Sequence, residues 1–347
     1  MTAADNTARS GAIAVTMGEP AGIGGEVALL AWLKRTVETP PYFVIDDPDR
    51  LQALADRTGI ASRIKPIDSV QEASAAFGHA LPVLPLGTSV PLTPGKPESQ
   101  HAASVIRSIN MAIDLASDGK VPAIVTNPIH KSTLYEAGFP HPGHTEYLAD
   151  RAKLTAPPVM MLVCPALRVV PATIHLSLAE AIGKLTAAQI VHCARLTAAS
   201  LQNDFGIALP RIAIAALNPH AGEDGHLGRE EIDIIRPAVG QLLSEDFTVS
   251  GPFPADTLFH ADARTRYDAV ICMHHDQALI PLKTIDFDRG VNVTLGLPYL
   301  RTSPDHGTAF DIAGTGKASH ASFTAAVQLA SKMSANRRAA DANRRVA

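Results

Sequence analysis

A-V-I-C-M-H-H-D-Q-A-L-I-P-L-K is the sequence of residues 269–283. It opens with a short apolar run, which is typical of a buried β-strand when polar residues bound it. His274, His275 and Asp276 follow that run directly, and Lys283 closes the stretch. In α/β proteins, ligands and catalytic groups collect where the parallel strands of the sheet end. The stretch therefore predicts an interior strand with chemically active side chains at its carboxyl end.

Two other segments have the same pattern, L-R-V-V-P-A-T-I-H at 167–175 and R-I-A-I-A-A-L-N-P-H at 211–220. Each predicts an interior strand followed by a histidine, His175 or His220. If the three strands are parallel neighbours, they direct His175, His220 and His275 into one crevice. Three neutral imidazoles with an open fourth position make a catalytic divalent-metal site. The alternative is that they are three unrelated histidines, since the chain has 14.

Length and composition predict a globular enzyme. With 347 residues the chain exceeds what a single core usually serves, so we expect two α/β domains. A hydrophobic content of 46% with 18% charged residues is typical of a folded enzyme. The net charge of -4 argues against nucleic-acid binding and favours a small phosphorylated substrate over a polymer. No uncharged apolar run approaches the roughly 20 residues of a membrane span, so we expect no membrane partner.

The cysteines and the N-terminus predict a cytoplasmic protein. Cys164, Cys193 and Cys272 are odd in number, widely spaced and set in apolar surroundings, without a C-x-x-C motif. This pattern is typical of reduced core thiols. Residues 1–11 are polar and lack the apolar segment of a signal peptide.

A glycine-rich turn, M-G-E-P-A-G-I-G-G-E at 17–26, follows a strand predicted at 11–16. It does not match the dinucleotide-binding fingerprint: with Gly22 and Gly24 as its first two glycines, the last would fall on Val27. Two interpretations remain open. The turn lines a cleft, or it contacts a phosphate or cofactor at the start of the next helix.

The segment F-P-H-P-G-H-T-E at 139–146 precedes a predicted helix. Thr145 fits the N-cap, which would leave His144 at the positive end of the helix dipole, a favourable place for an anion or a proton donor. Since loop histidines are common, the alternative is that His144 has no function. Further along, the turn G-P-F-P-A-D-T at 251–257 carries a candidate catalytic carboxylate, Asp256.

Taken together, these segments resemble the 4-hydroxythreonine-4-phosphate dehydrogenase family. The matching motifs, spread over residues 16–333, are G-E-P-A-G-I-G, P-G-H-T-E, T-I-H-L, L-N-P-H-A-G-E, P-A-D-T-L-F, H-H-D-Q, R-G-V-N and L-P-Y-L-R-T-S. The segment H-G-T-A-F-D-I-A-G-T-G at 306–316 is also similar to part of the isocitrate and isopropylmalate dehydrogenases. That larger group binds NAD without the usual fingerprint, in agreement with the mismatch at Val27.

The resemblance implies an isocitrate/isopropylmalate dehydrogenase-like α/β fold, with two α/β/α domains and an active-site cleft between them. The first domain, on the cofactor side, would comprise residues 1–140 and 303–347. The second, residues 141–302, would hold the metal, the substrate and the dimer contacts. The family forms homodimers in which both subunits contribute to each active site, so we expect the same here.

The resemblance also assigns roles residue by residue. The metal ligands are His175, His220 and His275, whereas His274 is expected to point the other way on its strand. The substrate contacts are His144, Thr145, Lys283, Asn292 and Arg301. The catalytic candidates are Lys283, Asp256 and His144, and the choice of general base between Lys283 and Asp256 stays open. The cofactor contacts are Gly307, Asp311 and Gly314.

The implied reaction is the NAD- or NADP-dependent oxidation of 4-phosphooxy-L-threonine to 2-amino-3-oxo-4-phosphooxybutanoate, which decarboxylates to 3-amino-2-oxopropyl phosphate. One divalent metal ion per site, zinc first and magnesium or cobalt as alternatives, would bind the substrate hydroxyl and lower its pKa.

Alternative substrates within the family are 4-phospho-threonate, 4-phospho-erythronate and a terephthalate-type dihydrodiol. His144, Thr145 and Arg301 favour a phosphorylated one. From other classes, a zinc hydrolase would leave segment 306–316 without a role, and a non-catalytic metal or phosphate binder is a further alternative.

Overall fold

The computed structural model describes residues 11–141 and 143–346. The chain divides into two compact units. Unit 1 contains the residues up to Pro158 together with Leu297–Arg338. Unit 2 contains Val159–Gly296 together with the residues from Ala339 onward. Each unit has its own strands and helices, so each is described by itself.

The strands of unit 1 pair in parallel throughout, in the order β3-β4-β2-β1-β5-β12. The strand β1 is buried along its whole length, as expected for an interior parallel strand covered on both faces. The strands are β1 (Ile13–Thr16), β2 (Tyr42–Asp46), β3 (Ile64–Pro66), β4 (Leu81–Pro85), β5 (Ile124–Val125) and β12 (Arg301–Pro304).

The helices of unit 1 start and stop at recognisable residues. Asp47 caps the N-terminus of α2 and Gly59 ends it in the left-handed conformation. The helix α4 buries Val105, Ile109 and Ile113 on one face, as a helix packed on a sheet requires. The helices are α1 (Gly24–Leu33), α2 (Pro48–Thr58), α3 (Ala73–Phe77), α4 (Ala102–Ser117), α5 (Lys131–Glu136), α6 (His144–Arg151) and α12 (Ala321–Val346), which begins in this unit.

Unit 2 has the strand order β11-β6-β7-β10-β8-β9. The pairs β11–β6 and β6–β7 are antiparallel, and the remaining pairs are parallel. The strands are β6 (Val159–Cys164), β7 (Leu167–Pro171), β8 (Ile212–Ala215), β9 (Val249–Phe253), β10 (Ala269–Cys272) and β11 (Val291–Leu295). The helices are α7 (Leu178–Lys184), α8 (Ala187–Asn203), α9 (Arg236–Ser244), α10 (Ala261–Arg264) and α11 (His275–Ile285).

The predicted α/β class is confirmed, and so is the arrangement of the three strands that precede histidines. The strands β7, β10 and β8 are parallel neighbours with β10 in the middle. The position predicted for His274 is wrong, because β10 ends at Cys272 and His274 is the N-cap of α11. None of the helices in the described part of the chain combines the length and apolar character of a membrane span.

A buried carboxylate joins the first helix of unit 1 to segment 306–316. Glu26 is fully buried in α1. Its side chain accepts hydrogen bonds from the backbone N–H groups of Gly314 at 2.8 Å and Ala318 at 3.2 Å. Because buried N–H groups need acceptors, this carboxylate stabilises a segment that has turns but no helix or strand.

Replacing Glu26 by Ala should leave both N–H groups without their acceptor. We expect a loss of roughly 2–4 kcal/mol in the free energy of unfolding, measured by urea denaturation. Glu38 is exposed, so Glu38→Ala is the control and should change stability by less than about 0.5 kcal/mol. Equal stability of the two variants would contradict this role for Glu26.

Candidate functional site

The junction between β10 and α11 is fixed by Gln277. Its Oε1 accepts a hydrogen bond from the Met273 N–H at 2.7 Å, and its Nε2 donates to the carbonyl oxygen of Ala216 at 2.6 Å. The Gln277 N–H in turn donates to Nδ1 of His274 at 3.3 Å. The glutamine of the H-H-D-Q motif therefore ties the start of α11 to the residues after β8. No pattern in the sequence indicates this structural role of Gln277.

A second set of contacts holds the end of β7 against the end of β10. The Ala172 N–H donates to the Cys272 carbonyl oxygen at 2.7 Å. The buried Thr173 hydroxyl donates to the Met273 carbonyl oxygen at 2.8 Å. These bonds place His175, two residues further on, on the same side of unit 2 as His275.

His175 and His275 line one cavity of about 230 Å³. Their ring centroids are 6.4 Å apart. Nδ1 of His275 lies 2.7 Å from Oδ1 of Asp276. When Nδ1 donates its N–H to this carboxylate, the lone pair of the imidazole lies on Nε2. His274 also lines this cavity, but its Nδ1 caps α11.

His220 lies in an unusual loop after β8. From His220 to Asp224 every residue has a positive φ, between 41° and 81°. The left-handed conformation costs roughly 1–2 kcal/mol for each residue that carries a Cβ, so the surrounding structure must hold this loop in place. His220 is not among the residues that line the His175–His275 cavity.

Within residues 11–141 and 143–346, no three His, Cys, Asp or Glu side chains form a group that could hold a metal ion. One chain therefore brings His175 and His275 together but does not add His220 to them. The assignment of the three histidines as metal ligands stays a prediction.

The other residues of unit 2 with predicted roles occupy three different elements. Asp256 is exposed in a short turn after β9. Lys283 is half-buried on α11, with its Nζ 5.2 Å from the centre of the Phe287 ring. Asn292 lies on β11, and its buried Oδ1 has no hydrogen-bond partner among the described residues. Nothing in these positions selects Lys283 or Asp256 as the base.

In unit 1, His144 is the first residue of α6. The N-cap is Gly143, so the prediction that Thr145 caps this helix is wrong. The extended backbone of Gly143 starts the helix one residue before His144, and Thr145 is its second, half-buried residue. Nε2 of His144 is buried and has no hydrogen-bond partner in the described part of the chain. Burial, reinforced by the positive charges of Arg301 and Lys131, lowers the pKa of His144 to about 3.

Arg301, the first residue of β12, is also buried. Its Nε and one terminal nitrogen donate to the hydroxyl of Thr126 at 3.0 and 2.6 Å. Burial lowers the pKa of its guanidinium to about 10, while Tyr299 acts in the opposite direction. Arg301 and Lys131 place positive charge beside the neutral His144 imidazole, and an arrangement of this kind favours an anionic ligand. Thr126 was not found from the sequence.

The predicted cofactor residues lie in segment 306–316. Gly307 and Asp311 are exposed, whereas Gly314 is buried. Gly314 has a φ of 71°, and a Cβ there would lie 2.7 Å from Pro94 Cβ, so the fold itself requires glycine. The glycine-rich turn packs against the same segment, since the Ile23 N–H donates to the Thr308 carbonyl oxygen at 3.0 Å. The cofactor-binding role of Gly307, Asp311 and Gly314 stays a prediction.

The chain is similar over most of its length to proteins of known family. Residues 38–330 match the family model described as pyridoxal phosphate biosynthetic protein PdxA. The chain is 51% identical to the 4-hydroxythreonine-4-phosphate dehydrogenase of Bradyrhizobium diazoefficiens, over 93% of this chain and 97% of that protein. A crystal structure of the Klebsiella pneumoniae enzyme of the same name superposes with a TM-score of 0.83 at 38% identity, covering 93% and 98% of the two chains. A terephthalate 1,2-cis-dihydrodiol dehydrogenase from Burkholderia xenovorans gives a TM-score of 0.63 at 27% identity, over 93% and 98%.

The burial of His144 should make unit 1 sensitive to acid. In the unfolded chain this side chain titrates near its ordinary pKa of 6.5, whereas in the folded chain the value is about 3. As the pH falls, His144 is therefore protonated in the unfolded chain before it is protonated in the folded chain. The free energy of unfolding consequently decreases as the pH is lowered from 6.5 towards 3. At pH 5 the loss is about 2 kcal/mol. His144→Gln should consequently lose less stability between pH 7 and pH 5 than the unmodified chain.

Urea denaturation at the two pH values measures this difference. The control is His79→Gln, at an exposed position, which should keep the pH dependence of the unmodified chain. The same pH dependence in all three proteins would show that His144 is not buried in its neutral form.

Proposed function

Because the chain belongs to the PdxA family of pyridoxal phosphate biosynthetic proteins, we propose that it oxidises 4-phosphooxy-L-threonine with NAD or NADP and a divalent metal ion. The family predicted from the sequence motifs is confirmed, and with it the class of enzyme, an oxidoreductase. The product of the proposed reaction, 2-amino-3-oxo-4-phosphooxybutanoate, then loses carbon dioxide to give 3-amino-2-oxopropyl phosphate.

The cavity shared by His175 and His275 carries this proposal. Two imidazoles with ring centroids 6.4 Å apart, one of them oriented through Asp276, are the donor set that zinc prefers, and cobalt or magnesium are alternatives. A divalent cation bound there supplies a Lewis acid that lowers the pKa of the substrate's secondary hydroxyl. NAD or NADP supplies the hydride acceptor, and Gly307, Asp311 and Gly314 are the residues proposed to bind it.

The remaining side chains have proposed roles that follow from their chemistry. Lys283 and Asp256 are the candidates for removing the hydroxyl proton. Asn292 offers a buried Oδ1 without a partner among the described residues, which suits a donor on the substrate. In unit 1, His144, Thr145 and Arg301 are proposed to bind the substrate's anionic groups. With its pKa lowered to about 3, His144 is neutral at pH 7, so it would donate a hydrogen bond to the anion rather than a charge.

We further propose that the metal site is completed in a homodimer. The two helices that contribute residues to the cavity expose apolar side chains: Leu178 on α7 is 58% and Ile280 on α11 is 64% exposed, and Phe287, just past the end of α11, is 72% exposed. Exposed apolar residues beside polar ones are typical of interaction surfaces. Since His220 does not line the cavity of its own chain, the proposal is that a second copy covers this surface and supplies its His220 as the third ligand.

Alternative substrates make different demands on unit 1. A dihydrodiol such as that named for the Burkholderia xenovorans enzyme carries no phosphate, whereas 4-phospho-threonate and 4-phospho-erythronate do. The positive charges of Arg301 and Lys131, next to the neutral His144 imidazole, favour the phosphorylated compounds. A zinc hydrolase would use the same imidazoles but would not reduce a nicotinamide cofactor.

The test of the proposed function is the absorbance of reduced nicotinamide. Purified protein is mixed with NAD or NADP and 4-phosphooxy-L-threonine, with and without a chelator. We expect reduction of the cofactor that the chelator abolishes. No reduction with any of the phosphorylated substrates would contradict the proposal and favour the hydrolase or the non-catalytic binder.

Mixing inactive variants tests the shared metal site. In a hybrid dimer of His175→Ala with His220→Ala, one of the two sites would keep all three histidines. A 1:1 mixture refolded together should therefore recover about 25% of the unmodified activity, because half of the dimers are hybrids. The control mixture, His175→Ala with His275→Ala, should recover none, since both lesions then fall on the same side of the site. Recovery in neither mixture would contradict the contribution of His220 from a second copy.

Arg301→Lys tests the anion-binding role in unit 1. Lysine keeps the charge but loses the flat two-pronged donor, so kcat/KM for 4-phosphooxy-L-threonine should fall about 30-fold to 1000-fold, equal to roughly 2–4 kcal/mol. Arg63 is exposed, so Arg63→Lys is the matched control and should retain full activity. Removing the phosphate from the substrate should lower the kcat/KM of the unmodified enzyme by a far larger factor than it lowers the kcat/KM of the Arg301 variant. Equal use of phosphorylated and dephosphorylated substrate by the unmodified enzyme would instead favour the dihydrodiol alternative.

A further inference from the structure

Glu231 is a buried carboxylate that accepts hydrogen bonds from the start of the His220 loop. Only 1% of the surface of this residue is exposed to solvent. Oε1 accepts from the backbone N–H groups of Leu217 and Asn218, both at 2.8 Å. Oε2 accepts from the Asn218 side-chain amide at 2.9 Å. Both carboxylate oxygens of this buried residue are therefore satisfied by N–H donors from residues 217 and 218.

The same carboxylate also contacts the loop after His220. A Cβ on Gly222 would lie 2.6 Å from Oε2 of Glu231 and 3.0 Å from the Gly228 carbonyl oxygen. The backbone of Gly222 therefore packs directly on the carboxylate. Glu231 thus touches the chain on both sides of His220, at Leu217 and Asn218 before it and at Gly222 after it.

The loop between these contacts needs such support. His220 and the four residues after it are all in the left-handed region, where residues with a Cβ are disfavoured. Within the loop, the backbone bonds from Ala221 N to Asn218 O and from Leu227 N to Gly222 O are longer, at 3.2 and 3.1 Å. An acceptor that fixes the peptide planes of residues 217 and 218 determines where the imidazole two residues later points.

We propose that Glu231 is the positioning residue for His220, holding the left-handed loop so that its imidazole is pre-oriented for metal binding. The inference rests on the proposed role of His220 as a metal ligand. It predicts that Glu231 acts on metal affinity without touching the metal. Losing a residue that orients a ligand typically lowers metal affinity by 10-fold to 100-fold.

Glu231→Gln is the informative substitution, because it keeps the shape of the side chain. A glutamine presents one oxygen and one NH₂ group. Whichever way it turns, its NH₂ faces either the two backbone N–H groups or the Asn218 amide, so a donor meets a donor. The matched control is Glu230→Gln, since Glu230 accepts from the same Asn218 amide, at 2.7 Å, whereas the backbone N–H groups of Leu217 and Asn218 donate to Glu231.

The measurement is a titration of zinc-free full-length protein with zinc against a competing chelator. We expect the Kd for zinc to rise about 10-fold to 100-fold in Glu231→Gln and less than about threefold in Glu230→Gln. Gly222→Ala places a methyl group against the carboxylate from the other side and should weaken zinc binding in the same direction. Unfolding curves show whether each variant is folded. A residue that only stabilised the fold would shift those curves and leave the affinity of the folded protein unchanged.

Hydrogen exchange provides a second readout that needs no metal. In zinc-free protein, the backbone amides of Leu217 and Asn218 should exchange at least about tenfold faster in Glu231→Gln than in the unmodified chain or in Glu230→Gln. If the unmodified protein binds zinc and folded Glu231→Gln binds it equally well, the inference is wrong while the proposed function stands. If the unmodified protein binds no metal, the proposed metal site is wrong. Faster exchange confined to residues 217–224 would then still support the positioning role, and unchanged exchange would overturn it.

Discussion

The left-handed backbone that follows β7 and β8 is the constraint on which the candidate metal site depends. His175 has a φ of 54° and His220 a φ of 50°, and neither residue is a glycine. A chain that continued in extended or right-handed conformation would carry both imidazoles away from the strand ends. The conformation persists because neighbouring groups oppose its relaxation: Thr173 bonds to the β10 end, and Glu231 bonds to the residues before His220. The strained backbone at His175 and His220 and the hydrogen bonds that hold it in place therefore occur at residues with proposed chemical roles.

The two units contribute different chemistry. Unit 2 carries the imidazoles, with the His175–His275 cavity as its centre. Unit 1 carries the positive charges of the buried Arg301 and of Lys131 beside a neutral His144. The overall charge of -4 is the sum over 30 basic and 34 acidic residues, so it does not show how positive charge is distributed locally. A protein with a negative net charge can therefore still be suited to an anionic substrate.

Part of this organisation could be predicted from the sequence. The apolar runs before His175, His220 and His275 correctly indicated parallel neighbouring strands, because short buried strands have a clear apolar signature. Strand and helix ends were less predictable. His274 proved to be a helix cap, and Gly143 rather than Thr145 caps α6, since both outcomes depend on backbone angles that residue types only weakly determine. Glu231 could not be found, because it acts through contacts with residues 13 and 14 positions earlier in the chain. The position of His220 was also out of reach, because no pattern in a sequence specifies which imidazoles meet in space.

The central claim is that the metal ion is held by imidazoles alone, with a position left for substrate. X-ray absorption at the zinc edge of the zinc-loaded protein tests this most directly, because it reports the ligand types and their distances. We expect nitrogen ligands at roughly 2.0–2.1 Å with the scattering pattern of about three imidazole rings, and no sulfur near 2.3 Å. The absence of sulfur is expected because Cys164, Cys193 and Cys272 are buried and burial raises their pKa values. A sulfur ligand, or a shell of oxygen atoms without imidazole scattering, would contradict the account.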